Sequence, residues 1–460
     1  MKKNNIEMSS YLKQLNVINT KRVCLFVLMM TTITSFSQDK KWSLQACVNH
    51  ALEHNITVKQ GDNTLLLNEQ DVIAAKGQFL PSFNGGLGTG ARIGSGFDPV
   101  TNQRVTNQTT YSFNYNLSVN QNIFNGFRTL NLYKQSKLTR ETNALELNRI
   151  KDDISLNVVN AYLNVLFNKE TLETATAQYK FSQKQLEQVK ALVDAGAQPK
   201  ANIYDAEATL SRDAQQVTLA ENNFNLALLT LSQLLQVPYN GFAIEFIDIE
   251  SPSEALLYKN VSPVLDYAFQ NRNEIKVAEK NIENAKLGTE ISKAGYYPSV
   301  SLGYGFGSVW SESKNDFIKQ AFFRELDLFK GHNINLNVNI PIFSRFQNKT
   351  AVAKSKIQEE NSKLNLNQAK LNLESNIQRA FTDAQAAFRA FDAAKKSLAS
   401  QELAFGNSKE RYDIGAMTAF DLEQARVQLI NAKSSLINAK YDFVFKTKVL
   451  DFYMGKSLTD

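Results

Sequence analysis

Between Phe127 and Asp194 the chain holds neither proline nor glycine. Its apolar residues return at every seventh position: Val158, Val165, Leu172, Tyr179, Leu186 and Val193. Small or polar residues, Ala161, Asn168, Ala175 and Ser182, follow the first four by three places. A seven-residue return of large and small side chains is what helices coiled closely against neighbours require. At 1.5 Å per residue the helix predicted over 127–194 is a rod of about 100 Å, several times an ordinary helix. No small domain can bury it, so the chain has to supply the neighbours.

It does so by repetition. A second rod over 346–413 carries Ile377, Ala384, Phe391, Leu398, Phe405 and Tyr412, again with Ala380, Ala387 and Ala394 three places on, and only Gly406 interrupts it. Each rod runs into a glycine turn, Asp194-Ala195-Gly196-Ala197 and Asp413-Ile414-Gly415-Ala416, as helix C-termini prefer. Return helices follow over 200–236 and 416–454, with Ile203, Leu210, Val217, Phe224 and Leu231 in the first and Leu422, Leu429, Leu436, Phe443 and Leu450 in the second. The matching hairpins mark an internal duplication with a period of 217 to 219 residues.

Ahead of each rod the period falls from seven to two. In the hairpin predicted over 79–124, Tyr111, Phe113, Tyr115, Leu117 and Val119 alternate with Ser112, Asn114, Asn116, Ser118 and Asn120. In the hairpin over 297–343, Val300, Leu302, Tyr304 and Phe306 alternate with glycines and serines, and Ile334, Leu336 and Val338 with asparagines. A half-buried sheet on a soluble core alternates in the same way. Three features favour lipid instead: wet faces of Asn, Ser and Gly, aromatic oily faces, and strands long enough to cross an outer membrane at a tilt. Lipid-facing strands leave no edge unpaired. Four strands per chain must therefore close with other copies, eight in a dimer or twelve in a trimer.

Shorter helices, over 42–77 and 264–294, precede the hairpins. Return helix 200–236 and short helix 264–294 together match the length of one rod. The chain therefore reads as four columns with strands at one end and glycine turns at the other. The first repeat is placed at 38–250, an equatorial linker at 251–263, and the second repeat at 264–460. Pro238 to Pro263 and the C-terminal tail are expected to wrap the middle as a belt.

The N-terminus changes the charge picture. Lys2, Lys3, Lys13, Lys21 and Arg22 lead into the apolar run Val23 to Ile33, and Ser35-Phe36-Ser37 offers small residues before Gln38. Residues 1–37 read as a secretory signal peptide, with a run too short for a comfortable membrane span. Removing five basic residues and one acid lowers the net charge from +6 to about +2. That removes the support for a nucleic-acid partner. Cys24 leaves with the signal, Cys47 becomes a lone thiol, and neither sits in a lipoprotein cleavage box.

Across essentially the whole mature chain, the signal peptide, duplicated halves, Pro-Ser hairpin starts (Pro81-Ser82, Pro298-Ser299) and glycine turns resemble the TolC-like outer-membrane efflux proteins. The resemblance implies an internally duplicated α+β membrane protein. In it, a long coiled-coil α-helical barrel joins a trimeric 12-stranded transmembrane β-barrel with four strands per chain. It implies an outer-membrane channel-tunnel exporting small molecules or proteins, gated at the periplasmic helix tips. Its partners would be a periplasmic adaptor (membrane-fusion) protein, an inner-membrane efflux pump and outer-membrane lipid. It implies no enzyme activity and no cofactor. Asp421 falls on the first position of the family's acidic pore ring, while the second holds Gln424, with Glu423 beside it. Tyr412 matches a gate-locking tyrosine whose acidic partner is Asn202 here, and Met417 stands where a gate arginine is found. The turns at Gly196 and Gly415 would dock the adaptor. Asp421 also suits a plain helix N-terminal role.

Two other readings exist. His50-Ala51-Leu52-Glu53-His54 fits the H-x-x-E-H zinc-peptidase pattern, with Cys47 one turn before His50. The second repeat has Tyr267-Ala268-Phe269-Gln270-Asn271 there, and no third ligand is placed. A periplasmic coiled-coil adaptor or scaffold without a pore would also be secreted and heptad-rich, but has no need of duplicated hairpins with asparagine faces. Cargo is not legible.

Overall fold

The computed structural model describes residues 41–98, 102–246, 260–313 and 321–458. The signal peptide read at 1–37 and most of the linker read at 251–263 lie outside them. In chain order the elements are α1 (Leu44–His54), α2 (Ile56–Gly77), β1 (Ser82–Asp98), β2 (Gln103–Asn125), the rod α3 (Arg128–Asp194) and α4 (Ala201–Leu235). Then come α5 (Ser262–Asn271), α6 (Asn273–Lys293), β3 (Ser299–Ser313), α7 (Phe322–Leu328), β4 (Gly331–Asn339), the second rod α8 (Gln347–Asp413) and α9 (Ala419–Tyr453).

The short helices over 42–77 and 264–294 are each broken. Asn55, at ψ 132°, separates α1 from α2, and Arg272, at ψ 139°, separates α5 from α6; the two stand 217 residues apart. The Asn55 side chain accepts the Thr57 amide at 2.9 Å and restarts the helix. Arg272 is buried, with its guanidinium 4.0 Å from the Phe452 ring and ion-paired to Glu274 at 3.0 Å and Asp152 at 3.5 Å. Neither break carries Gly or Pro, so the apolar pattern runs through both. Conversely, α8 continues past Gly406, whose surroundings are open. One exposed glycine costs about 1 kcal/mol, too little to stop a long packed helix. β4 stops at Asn339, before Pro341, which has no N–H to give a ladder.

The helices form one four-wide layer. On the strand side the order is α2, α3, α6, α8; on the turn side it is α4, α3, α9, α8. Both rods run through the two halves. Val158, Val165, Leu186, Ile377, Ala384 and Phe391 of the rod seams are buried. The largest apolar cluster sits at mid-height, where Cys47, Val159, Tyr162, Leu231, Ile244 and Tyr441 meet. There Trp42 forms a parallel bridge to Ile244, and the Tyr162 hydroxyl donates to the Glu245 carbonyl.

The antiparallel sheet runs β1-β2-β3-β4. Its register puts Tyr115 opposite Leu87 and Ser308, and Tyr304 opposite Val119 and Ile334, all on one face. The other face pairs glycine with asparagine: Gly86 with Asn116, Gly88 with Asn114, Gly303 with Asn335. The asparagine amides lie over these glycines, where any Cβ would collide. The aromatic face does not pack on the long helices, and Phe83, Leu87 and Ile93 are 70 to 80% exposed. Each hairpin enters its rod through two left-handed residues, Gly126-Phe127 and Arg345-Phe346. No helix among the described residues is long and apolar enough to cross a membrane.

Candidate functional site

The end of the layer opposite the sheet carries every gate and adaptor-docking residue named from the sequence. The turns after α3 and α8 are close copies. Gly196 (φ 74°) and Gly415 (φ 76°) close them, with Ala197 N–H donating to Leu192 O and Ala416 N–H to Arg411 O, both at 2.8 Å. This is the double-bonded helix stop that needs a left-handed residue. Alanine at either glycine has room for its Cβ and meets only backbone strain, about 1 kcal/mol. Gly196→Ala and Gly415→Ala are each expected to speed amide exchange at their own turn roughly fivefold, as read by hydrogen-exchange mass spectrometry.

Tyr412 and Asn202 are joined through a third residue. Gln198 stands between them: its amide donates to the Tyr412 hydroxyl at 3.4 Å, and its carbonyl accepts from the Asn202 amide at 3.2 Å. The two turns are therefore linked by a chain of neutral hydrogen bonds. Gln198 was missed because nothing marks it in the sequence beyond its place two residues after Gly196.

Thr418 caps α9, accepting the Asp421 amide at 3.2 Å and donating to the Asp421 carboxylate at 2.7 Å. Asp421 thus has the first-turn role open to it from the sequence. Its side also lines a cleft of about 800 Å³ between the ends of α8 and α9, together with Arg411, Met417, Gln424 and Gln428. Glu423 turns the other way.

There it meets a buried ionic cluster. Arg426 of α9 has a side chain 3% exposed. It donates to Asp213 of α4 at 2.8 Å, to Glu423 at 2.7 and 2.8 Å, and to Gln178 and Ser182 of α3 at 3.3 Å. Ser182 also donates to Asp213. Burial opposes the arginine's charge, but the hydrogen bonds it donates to Glu423 and Asp213 outweigh it and hold the guanidinium above its usual value. One side chain thereby ties the α8–α9 hairpin to both helices of the α3–α4 hairpin.

The H-x-x-E-H stretch lies at mid-height, far along the chain from these turns. His50 and His54 stack at 4.1 Å, and Trp42 meets His50 edge-on. Cys47 faces the core, and burial pushes its thiol up to about 12, which makes it an inert apolar residue. Among the described residues no three His, Cys, Asp or Glu converge to hold a metal.

A layer of duplicated long helical hairpins, surmounted by a four-stranded sheet with one apolar and one amide face, defines a class of outer-membrane tunnel proteins. The chain matches the family described as Outer membrane efflux protein over residues 47–236 and 264–456, and it belongs to that family. It is 22% identical to Outer membrane protein TolC of Vibrio cholerae serotype O1, over 65% of this chain and 67% of that protein. It is 20% identical to Outer membrane efflux protein BepC of Brucella suis biovar 1, over 95% of this chain and 91% of that protein. A crystal structure of CusC superposes with a TM-score of 0.76 at 16% identity, covering 92% of this chain and 96% of that one. The protein resides in the outer membrane, and its family members are channels rather than enzymes.

Proposed function

We propose that three copies of this chain close head to tail into one pore, a twelve-stranded barrel continued by a twelve-helix tunnel. Cargo would enter from an inner-membrane pump through a periplasmic adaptor. The observation that carries this is the match between the two edges of the protomer. One edge is β1 above, then α2, then α4; the other is β4 above and α8 throughout. Each edge bears apolar side chains at heptad spacing that the chain leaves exposed. Leu66 and Ile73 lie on α2, Leu219 and Leu226 on α4, and Ile357, Leu364 and Leu371 on α8. Because the edges differ, the contact is heterologous and has to close as a ring. Mature protein reconstituted in a planar bilayer is expected to conduct ions and to run as a heat-dissociable trimer. A monomer that conducts nothing would end this reading.

In that ring the tips form the periplasmic gate. Asp421 and Gln424 would face the narrowed axis from the cleft they share with Met417, so three carboxylates attract cations. Asp421→Asn is expected to lower the cation preference, read as a reversal potential under a salt gradient at low ionic strength. An unchanged potential removes Asp421 from the pore. The Tyr412–Gln198–Asn202 chain would hold the gate shut with neutral bonds worth about 0.5–1.5 kcal/mol each. Tyr412→Phe and Gln198→Ala should each raise open probability by a factor of a few, and together by little more than either alone. The turns at Gly196 and Gly415 are the proposed adaptor contact. A cysteine crosslinker placed there identifies the adaptor.

A further inference from the structure

The aromatic face of the sheet is bare over most of its area, but one element rests on it. Helix α7 rests on the outer end of β3 and the middle of β2. The Phe322 ring sits 5.3 Å from Phe113 and 5.2 Å from Trp310, which oppose each other in the ladder. Ser308 Oγ donates to the Leu326 carbonyl at 2.7 Å and is buried beneath it, and the Ser311 amide donates to the Glu325 carboxylate at 3.2 Å. Ser308 and Trp310 share a face with Phe113, Tyr115 and Phe306, not with the asparagines. The helix is therefore on the outside of any barrel this sheet forms.

Apart from Phe322 and the half-buried Leu326, the apolar side chains here are exposed: Phe323 is 82% exposed, Leu328 61% and Phe329 55%. The charged residues interleave with them, Asp327 pairing with Lys330 at 2.5 Å. We infer that α7 is a lipid contact, a short helix laid on the barrel wall at the outer-leaflet boundary with Phe323, Leu328 and Phe329 among acyl chains. Two facts choose lipid over a second copy. Phe322 covers Phe113 of β2, a strand paired on both sides at that level, whereas copies have to pair at β1 and β4. Its exposed apolar surface is also continuous with the face that carries Tyr115, Phe306 and Tyr304. The level fits as well. At a rise of about 3.3 Å per residue and a tilt of about 40°, Trp310 stands roughly 28 Å above Ser299, the top of an apolar band about 25 Å tall. Aromatic side chains gather at that boundary because one end of the site is apolar and the other wet.

The inference rests on the reading that the aromatic face meets lipid, and the test separates the two. Single cysteines at Phe323, Leu328, Asp327 and, as a control within the band, Leu87 are introduced, with Cys47 left in place because it is buried and unreactive. Each is nitroxide-labelled in the full chain reconstituted in phosphatidylethanolamine–phosphatidylglycerol vesicles, and accessibility to oxygen and to a water-soluble nickel chelate is measured. Labels at Phe323 and Leu328 should favour oxygen several-fold over the label at Asp327. If Leu87 favours oxygen while Phe323 and Leu328 favour nickel, α7 lies in water and the inference fails alone. If both are shielded from both reagents, protein covers them and it fails too. If Leu87 also favours nickel, the lipid reading of the sheet is lost with it. The unsubstituted chain supplies a second measurement, since Trp42 is in the helical section and Trp310 is the only other tryptophan. Lipids brominated near the headgroup should quench Trp310 more than lipids brominated at the chain ends, and the reverse order would overturn the placement.

Discussion

Arg426→Ala is expected to loosen the turn end by about 3–5 kcal/mol, the range for removing one partner of a buried ion pair. Asp213, 9% exposed in its side chain, would be left as an uncompensated carboxylate between α3 and α4, with Ser182 as its remaining close donor. Glu423 suffers less. It is more exposed, and Arg212 of α4 stands 3.8 Å away. Amide exchange around Asp213 and Arg426 should accelerate by about two to four orders of magnitude, at about 1.4 kcal/mol per tenfold, while exchange at the mid-height cluster around Tyr162 stays near the unsubstituted rate. Arg426→Lys keeps the charge but not the planar fork that serves Asp213 and Glu423 together, so it should fall between the two. Replacing Arg426 by Met and Asp213 by Leu in one chain removes both charges and should recover most of the loss. The distinction matters for function. This cluster bonds α9 to both α3 and α4, so loosening it weakens the hold of one hairpin on the other and should raise open probability beyond the effect of Tyr412→Phe. Unchanged exchange in Arg426→Ala would show that the cluster carries none of the hairpin contact.

The rods and strands were legible because their energetics are periodic. Val158 to Val193 and Ile377 to Tyr412 repeat every seven residues where helices meet, and Tyr111 to Val119 every two where a sheet has an oily and a wet face. What was not legible depends on single contacts between distant segments. Nothing at Arg272 announces a helix break, because its partners Asp152 and Phe452 come from distant segments. Asn55 is the exception, capping α2 through Thr57 two residues on, a local signal hidden under a continuous apolar pattern. Helix α7 is too short to show a period, and it exists against Phe113, Trp310 and Ser308 rather than by its own propensity. The Arg426 cluster did leave a trace. Ala206, Ala220 and Ala227 follow the apolar seam of α4 by three places, and Asp213 stands where an alanine is missing between Ala206 and Ala220. Across from it Arg426 falls between the seam residues Leu422 and Leu429. An acid interrupting a small-residue seam in one half, and a base one place past Ala425 of the matching seam in the other, is a signal of pairing.

Ile357→Asp, Leu364→Asp and Leu371→Asp combined are expected to abolish assembly, with the protein recovered as monomer by mass photometry in detergent. Each side chain is more than half exposed in the single chain, and burying one such residue contributes about 1.5–3 kcal/mol. Three per seam, repeated around a ring, outweigh any exposed ion pair at its rim. The geometry of the edges makes a sharper demand. A second variant, Leu66→Asp with Ile73→Asp, damages the opposite edge and should also be monomeric alone. Mixed, the two variants share one intact seam, the α8 edge of the second against the α2 edge of the first, so a dimer should form and growth should stop there. A self-complementary contact behaves otherwise. If α8 packed on α8 across a twofold axis, the α2 variant would assemble normally by itself, and that result would replace the ring with a dimer and leave β1 without a partner in the bilayer.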